Sequence, residues 1–200
     1  MSLRDLEEKR LLEMIERMYD LVDKVLGVVS EGSAGRLKDI EDMVALVEEY
    51  RSTISSQATL FIARFQPLAE DLILAESVIS VAYDLYRVSR YAREIALLAE
   101  RIGGLRGNVN EDALRALEIA RSMVREAVEA FTRGKREYVE EVNMKDSLVD
   151  EVYHKYLDML RSGDSLSSRD VTSLLLARHV ERIADHATYI AMSAKRLWRI

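Results

Sequence analysis

Apolar residues recur along almost the whole chain at intervals of three and four, the spacing that lines up one face of an α-helix, and few places remain for strands or tight hairpins. The breaks in that pattern are therefore the informative positions. SEGSAG at 30–35 reads as a loop. In ARFQPLAEDL the single proline pushes the residue before it out of the helical region, while Pro67 itself suits a first helical position, with Glu70 and Asp71 near the positive end of the new helix dipole. One helix is expected to end near Phe65 and the next to start at Pro67. The richest break is GGLRGNVNED at 103–112, where three glycines precede Asn110, an expected N-cap, and two acids in the first turn. TRGK at 132–135 and SGDSLSSRD at 162–170 end further segments, the second with Ser167 and Asp170 at the spacing of a weak capping box. About six helices follow, three on either side of the glycine-rich midpoint.

A three-plus-three order invites a search for duplication, since each half could be the same antiparallel bundle. Placing Arg87 over Arg182, an offset of 95 residues, aligns LYRVSRYAREIA (85–96) with VERIADHATYIA (180–191). Arg, a branched apolar residue, a small residue, an aromatic ring, Ala, Ile and Ala recur in register. The differences matter more: Glu181 pairs with Tyr86, and Asp185 with Arg90.

Composition acts mainly by exclusion. At 200 residues, 48% hydrophobic and 32% charged, the chain can bury one good core or two small ones and is too apolar for disorder. Without cysteine there is no disulfide framework, thiolate metal ligand or cysteine nucleophile. No basic-then-apolar leader and no apolar run of roughly 18 residues is visible, so the cytoplasm is the default expectation. A net charge of -6 with interspersed Lys and Arg offers no footprint for nucleic acid. Gly-rich phosphate loops, Ser-His-Asp ordering and nucleophile elbows are missing.

The candidate chemistry is carboxylate. In the last helix Val180, Ile183, Ala184, Ala187, Ala191 and Ala194 form an apolar stripe flanked by Glu181, Asp185 and Thr188. In the preceding helix Val149, Val152, Tyr153, Tyr156 and Leu160 form the expected core face, flanked by Asp146 and Asp150. Like charges four residues apart on a helix cost a few tenths of a kcal/mol. Two adjacent antiparallel helices could bring the four acids to one groove, where hard oxygen ligands suit Mg, Mn, Ca or Fe and the metal's charge offsets the repulsion. Accident is the competing reading: among 35 acids, Glu16/Asp20 and Glu137/Glu141 show the same spacing, and Arg178 and Arg182 could neutralise the acids as ordinary surface ion pairs. His154, His186 and Glu48 are additional ligand candidates. Glu151 and His154 make one Glu-x-x-His, of which a ferritin-like site needs two, and His179 and His186 fit bundle histidines better than ligands. The C-terminal AKRLWRI is explained by cations ending a helix and a Trp packing on a bundle.

RFQPLAEDL, DLYRVSRYA, NMKDSLVDEVY and HVERIADHATYIA, in that order, resemble the PhoU family, regulators of phosphate uptake. The resemblance implies an all-α fold of two pseudo-symmetric antiparallel three-helix bundles, residues 1–104 and 109–200, with multinuclear metal sites on paired acidic motifs. Asp146, Asp150, Glu181 and Asp185 match the second-bundle metal positions, implying iron or another divalent metal there. The first bundle departs: Tyr86 and Arg90 replace its acids, Glu48 and Glu49 form no clean Asp-x-x-x-Asp, and the first site is expected to be dead. The resemblance further implies a non-catalytic cytoplasmic adaptor that couples a phosphate ABC transporter, through its ATPase subunit, to a phosphate-sensing histidine kinase, and that forms a homodimer; a rigid bundle with long amphipathic faces and no cleft chemistry suits that role. A carboxylate-bridged metalloenzyme and a helical scaffold without metal stay open beside it.

Overall fold

The computed structural model describes residues 3–67, 70–163 and 165–199, and these form six helices: α1 (Leu3–Ser30), α2 (Leu37–Phe65), α3 (Glu70–Ile102), α4 (Glu111–Arg133), α5 (Glu137–Ser162) and α6 (Ser168–Trp198). In α1 the periodic pattern becomes burial directly, with Leu11, Ile15, Met18, Val22, Val25 and Val29 all withdrawn from water. Each such side chain stabilises the fold by about 2 kcal/mol relative to exposure, so the stripe outweighs local propensity in holding the helix. α4 buries two adjacent ridges, one alanine-rich and one of Leu117, Val124 and Phe131, because α1, α5 and α6 all pack on it.

The breaks end helices by the expected local chemistry. Gly134 takes the left-handed conformation after α4 and its N–H donates to the Ala130 carbonyl. Ser167 and Asp170 make the full reciprocal capping box of α6. Asn110 stands at the N-cap position of α4 but does not cap it: its side-chain amide donates to Asp170 Oδ1 at 3.0 Å, and its backbone N–H donates to Ser173 Oγ. The carboxylate of α6 holds the side-chain N–H of Asn110 and so turns the amide towards α6, which ties the two helix starts together. Phe65 ends α2 as expected, with Gln66 left-handed (φ 46°). Pro67 is not helical; residues 68 and 69 lie outside the described residues, and α3 is described from Glu70.

α1, α2 and α3 pack on one another, as do α4, α5 and α6, while α1 meets α4 and α3 meets α6 across the two halves. α2 and α5 touch only helices of their own half. Across α3 and α6, Arg196 pairs with Glu76 and His186 with Asp84, so these helices run antiparallel. Shifting by the 95-residue repeat turns Asp84 into His179 and His186 into Tyr91, and those two rings are also neighbours, at 6.3 Å. The halves are thus related by a pseudo-two-fold axis through this pair of helices. The midpoint loop returns to the first one, with Leu105 N–H donating to the Gly32 carbonyl at 2.7 Å. At Gly104 (φ 108°) a Cβ would stand 3.2 Å from that same oxygen, which explains the glycine. No helix among the described residues is long and apolar enough to cross a membrane.

Candidate metal centre

The expected stripe of α6 is buried along its whole length, from Val180 to Ala194. On α5, Val149 and Tyr156 are buried and Val152 and Tyr153 half-buried, but Leu160 is 49% exposed and does not belong to the core. The reason is where α4 begins: Asp112, in its first turn, already meets Lys155 and Tyr156, so one turn further along α5 there is no α4 to cover Leu160. Burial of these stripes fixes the α5–α6 seam, and helical spacing sets Asp146 and Asp150 on one side of it and Glu181 and Asp185 on the other.

The four acids feel one another. The Asp146 carboxyl is pushed up to about 6, first by loss of solvent and then by the negative charges of Asp150, Asp185 and Glu181. Its Oδ1 is buried with no hydrogen-bond partner among the described residues, and the neighbouring Lys145 is turned away onto Glu126 of α4. Asp185 is also raised, by burial first, with Glu181 and Asp150 adding to the effect and Arg182 opposing it.

On the α6 side arginine holds the acids. Arg182 donates to both carboxylate oxygens of Glu181, and its Nη1 lies 2.9 Å from Asp185 Oδ2. Arg178 donates to Glu181 Oε2 at 2.8 Å while lying over the Tyr153 ring. Glu181 is only 8% exposed, so these are not the ordinary surface pairs expected from spacing; a bidentate, partly buried guanidinium is a stronger partner. With the side chains so placed, no group of three or more His, Asp or Glu among the described residues is close enough to hold one metal ion.

The additional candidates fall elsewhere. His154 is exposed beside Tyr153. His186 is near Asp185, but its Nδ1 lies 2.8 Å from Asp84 Oδ1 on α3 and its ring stacks on Tyr91. Glu48 belongs to the other half. Sequence reading missed Asp84, which is 7% exposed and has its carboxyl raised by burial, with His186 opposing. The available signal was an acid inside the buried run of Val81, Leu85 and Val88.

In the first half the α2–α3 seam has the opposite character. Arg51 donates to Glu48 from Nε and Nη2 and lies over the Tyr86 ring; Arg90 Nη1 donates to the Tyr86 hydroxyl at 3.0 Å. Arg93 pairs with Glu41 and Glu94. The Glu48 carboxyl is held below the usual range, mainly by its bond to Arg51. Glu41, Glu48, Tyr86, Arg90 and Arg93 border a shallow notch of about 440 Å³.

An all-helical protein of two repeated three-helix halves, acidic along one seam and guanidinium-lined along the other, is the class these features define. The chain belongs to the PhoU family: the PhoU domain matches residues 11–99 and again residues 113–194, one copy in each half. It is 27% identical over 205 residues to the phosphate-specific transport system accessory protein PhoU homolog of Archaeoglobus fulgidus, covering 97% of both chains. To the homolog of Pseudomonas putida it is 29% identical over 197 residues, covering 94% of this chain and 76% of that one. Among solved structures, PhoU from Pseudomonas aeruginosa is similar with a TM-score of 0.84 at 24% identity over 98% of both chains. The phosphate transport system regulatory protein PhoU from Streptococcus pneumoniae gives 0.78 at 20% identity, over 97% and 96%. At these identities the structural likeness shows the fold.

Proposed function

We propose that the protein is a non-catalytic regulatory accessory protein of phosphate uptake. It acts in the cytoplasm as an adaptor that couples a phosphate ABC transporter, through the transporter's ATPase subunit, to a phosphate-sensing histidine kinase, and it works as a homodimer. The observation that supports this reading is the double PhoU-domain match, with relatives of nearly the same extent that are phosphate transport accessory proteins. Long amphipathic helices that leave α2 and α5 on the outside of each half suit an adaptor better than a catalyst. Deleting the gene and measuring phosphate import and polyphosphate tests the proposal; import unchanged at both high and low phosphate rejects it.

The same reading assigns one metal ion or multinuclear cluster, iron or another divalent metal, to Asp146, Asp150, Glu181 and Asp185. The donor chemistry suits such a group, since the orphaned Asp146 oxygen and the mutual repulsion around it are what a hard cation would relieve, and loading would have to draw the acids closer than they stand. When bound, the metal would supply the positive charge that offsets the mutual repulsion of the four carboxylates. Asp146 and Asp150 would approach from α5, Glu181 and Asp185 from α6. No metal is assigned to the first half, where the Arg90 guanidinium stands in the place of an acid. Elemental analysis of metal-loaded protein checks the assignment, and less than one equivalent retained after dialysis removes it.

A further inference from the structure

The α5–α6 seam is divided. Among the described residues neither Asp146 nor Asp150 has an arginine or lysine within ion-pair distance, whereas Glu181 and Asp185 are both engaged by Arg182. We infer that Arg182 is a built-in stand-in for the metal: guanidinium and metal exclude each other at Glu181 and Asp185, so loading expels Arg182 from the seam and unloading returns it. The inference rests on the metal assignment above and concerns how that site is regulated.

Three observations carry it. First, Arg182 spans both oxygens of Glu181 and one of Asp185, the same atoms a metal would take, and two cations crowded onto one set of oxygens repel strongly. Second, the first half supplies an internal control. Arg87 occupies the Arg182 position of the repeat, with Tyr86 and Arg90 where the acids would be. There the guanidinium lies 5.0 Å over the Tyr91 ring, and its Nη2 donates to the Tyr91 hydroxyl at 2.6 Å. An arginine in this register therefore has a second resting place on an aromatic ring when no carboxylate holds it. Third, an aromatic ring stands at the same place in the repeat beside Arg182, since His186 is the counterpart of Tyr91 and its ring stacks on Tyr91. An ion arriving at the two unpaired acids of α5 would compete with Arg182 for the two on α6. The higher charge of a divalent ion favours that exchange, and the guanidinium it releases becomes a new positive charge beside the seam.

The test is calorimetric titration of Mn²⁺ into the full-length wild type, Arg182→Met and Arg182→Lys, each checked for helical content. Arg182→Met should bind Mn²⁺ at least about tenfold tighter than wild type, with Arg182→Lys between them, because an ammonium keeps the charge and loses the fork. In the wild type, the Arg182 Nε–H NMR signal should move to the position of a carboxylate-free guanidinium on loading with diamagnetic Zn²⁺. If Arg182→Met does not fold, that signal decides alone. Equal or weaker binding by Arg182→Met, or an Arg182 signal unmoved by loading, overturns the exchange and leaves the metal assignment standing. No Mn²⁺ uptake by either wild type or Arg182→Met overturns both.

Discussion

The two seams of this molecule were built on one scaffold and differ in charge. Along α5–α6, four carboxylates face two guanidiniums, and one buried oxygen of Asp146 has no hydrogen-bond partner among the described residues. Along α2–α3, Arg51, Arg90 and Arg93 face Glu41 and Glu48 around the Tyr86 ring, and each acid has an arginine against it. The core stripes behind the seams are alike, as Val88 and Ala92 in α3 and Ile183 and Ala187 in α6 show. What differs is a few residues at the stripe's edge, so a helix can keep its packing and exchange its chemistry. The difference also shows what neighbours do to charge: the bond from Arg51 lowers the carboxyl of Glu48, and loss of solvent among like charges raises that of Asp146.

The most severe challenge to this comparison is Asp185→Ala set beside Arg90→Ala. Loss of Asp185 should weaken metal binding by about 100-fold or more, about 2.7 kcal/mol, while Arg90→Ala leaves it unchanged. Equal losses in metal content from both variants would mean that the site is misplaced. Next, Asp84→Ala removes the acceptor facing His186 between the halves; urea unfolding should show about 2 kcal/mol less stability, and a cost near zero would mean the pair does not hold α3 to α6. A smaller effect is expected from Asp146→Asn in metal-free protein. The wild-type carboxyl has a folded value of about 6, above its unfolded one, so its stabilising protonated form is fully present below about pH 4 and is lost as pH rises through 6. The amide should therefore gain about 1 kcal/mol at pH 8 and nothing at pH 4, a figure kept low because the side chain is still partly in water. A gain independent of pH would contradict the electrostatic origin. Smallest of all, Glu48→Ala should cost about 0.5 kcal/mol or less, since its pair with Arg51 is half-exposed; a cost above about 2 kcal/mol would make the first seam a structural element of the fold.

Much of the fold was legible because its signals are local. Glycine and proline interrupt a 3.6-residue period wherever they fall, so the ends of α1, α2, α4 and α5 could be read from SEGSAG, QP, TRGK and SGDS. The α6 stripe was legible for the same reason, as was the repeat that relates Arg87 to Arg182. The candidate site was half legible. Spacing identified which acids share a face, but it gave Arg178 and Arg182 only the weight of surface cations, when one of them reaches two acids at once and one acid is nearly buried.

The sequence by itself therefore determined the six helices, the buried stripe of α6, most of that of α5 and the position of the acids along them, because those follow from bonds and contacts within a few residues. Tertiary structure alone decided that Leu160 lies beyond the cover of α4, that Asn110 serves Asp170 instead of its own helix, and that Asp84 meets His186 across the halves. Each of these depends on where a different helix begins or crosses, and so on distances between residues far apart in the chain. The charge state of Asp146 belongs to the same group: its raised value comes from solvent excluded by packing and from Glu181 and Asp185 on another helix, neither of which local spacing can measure.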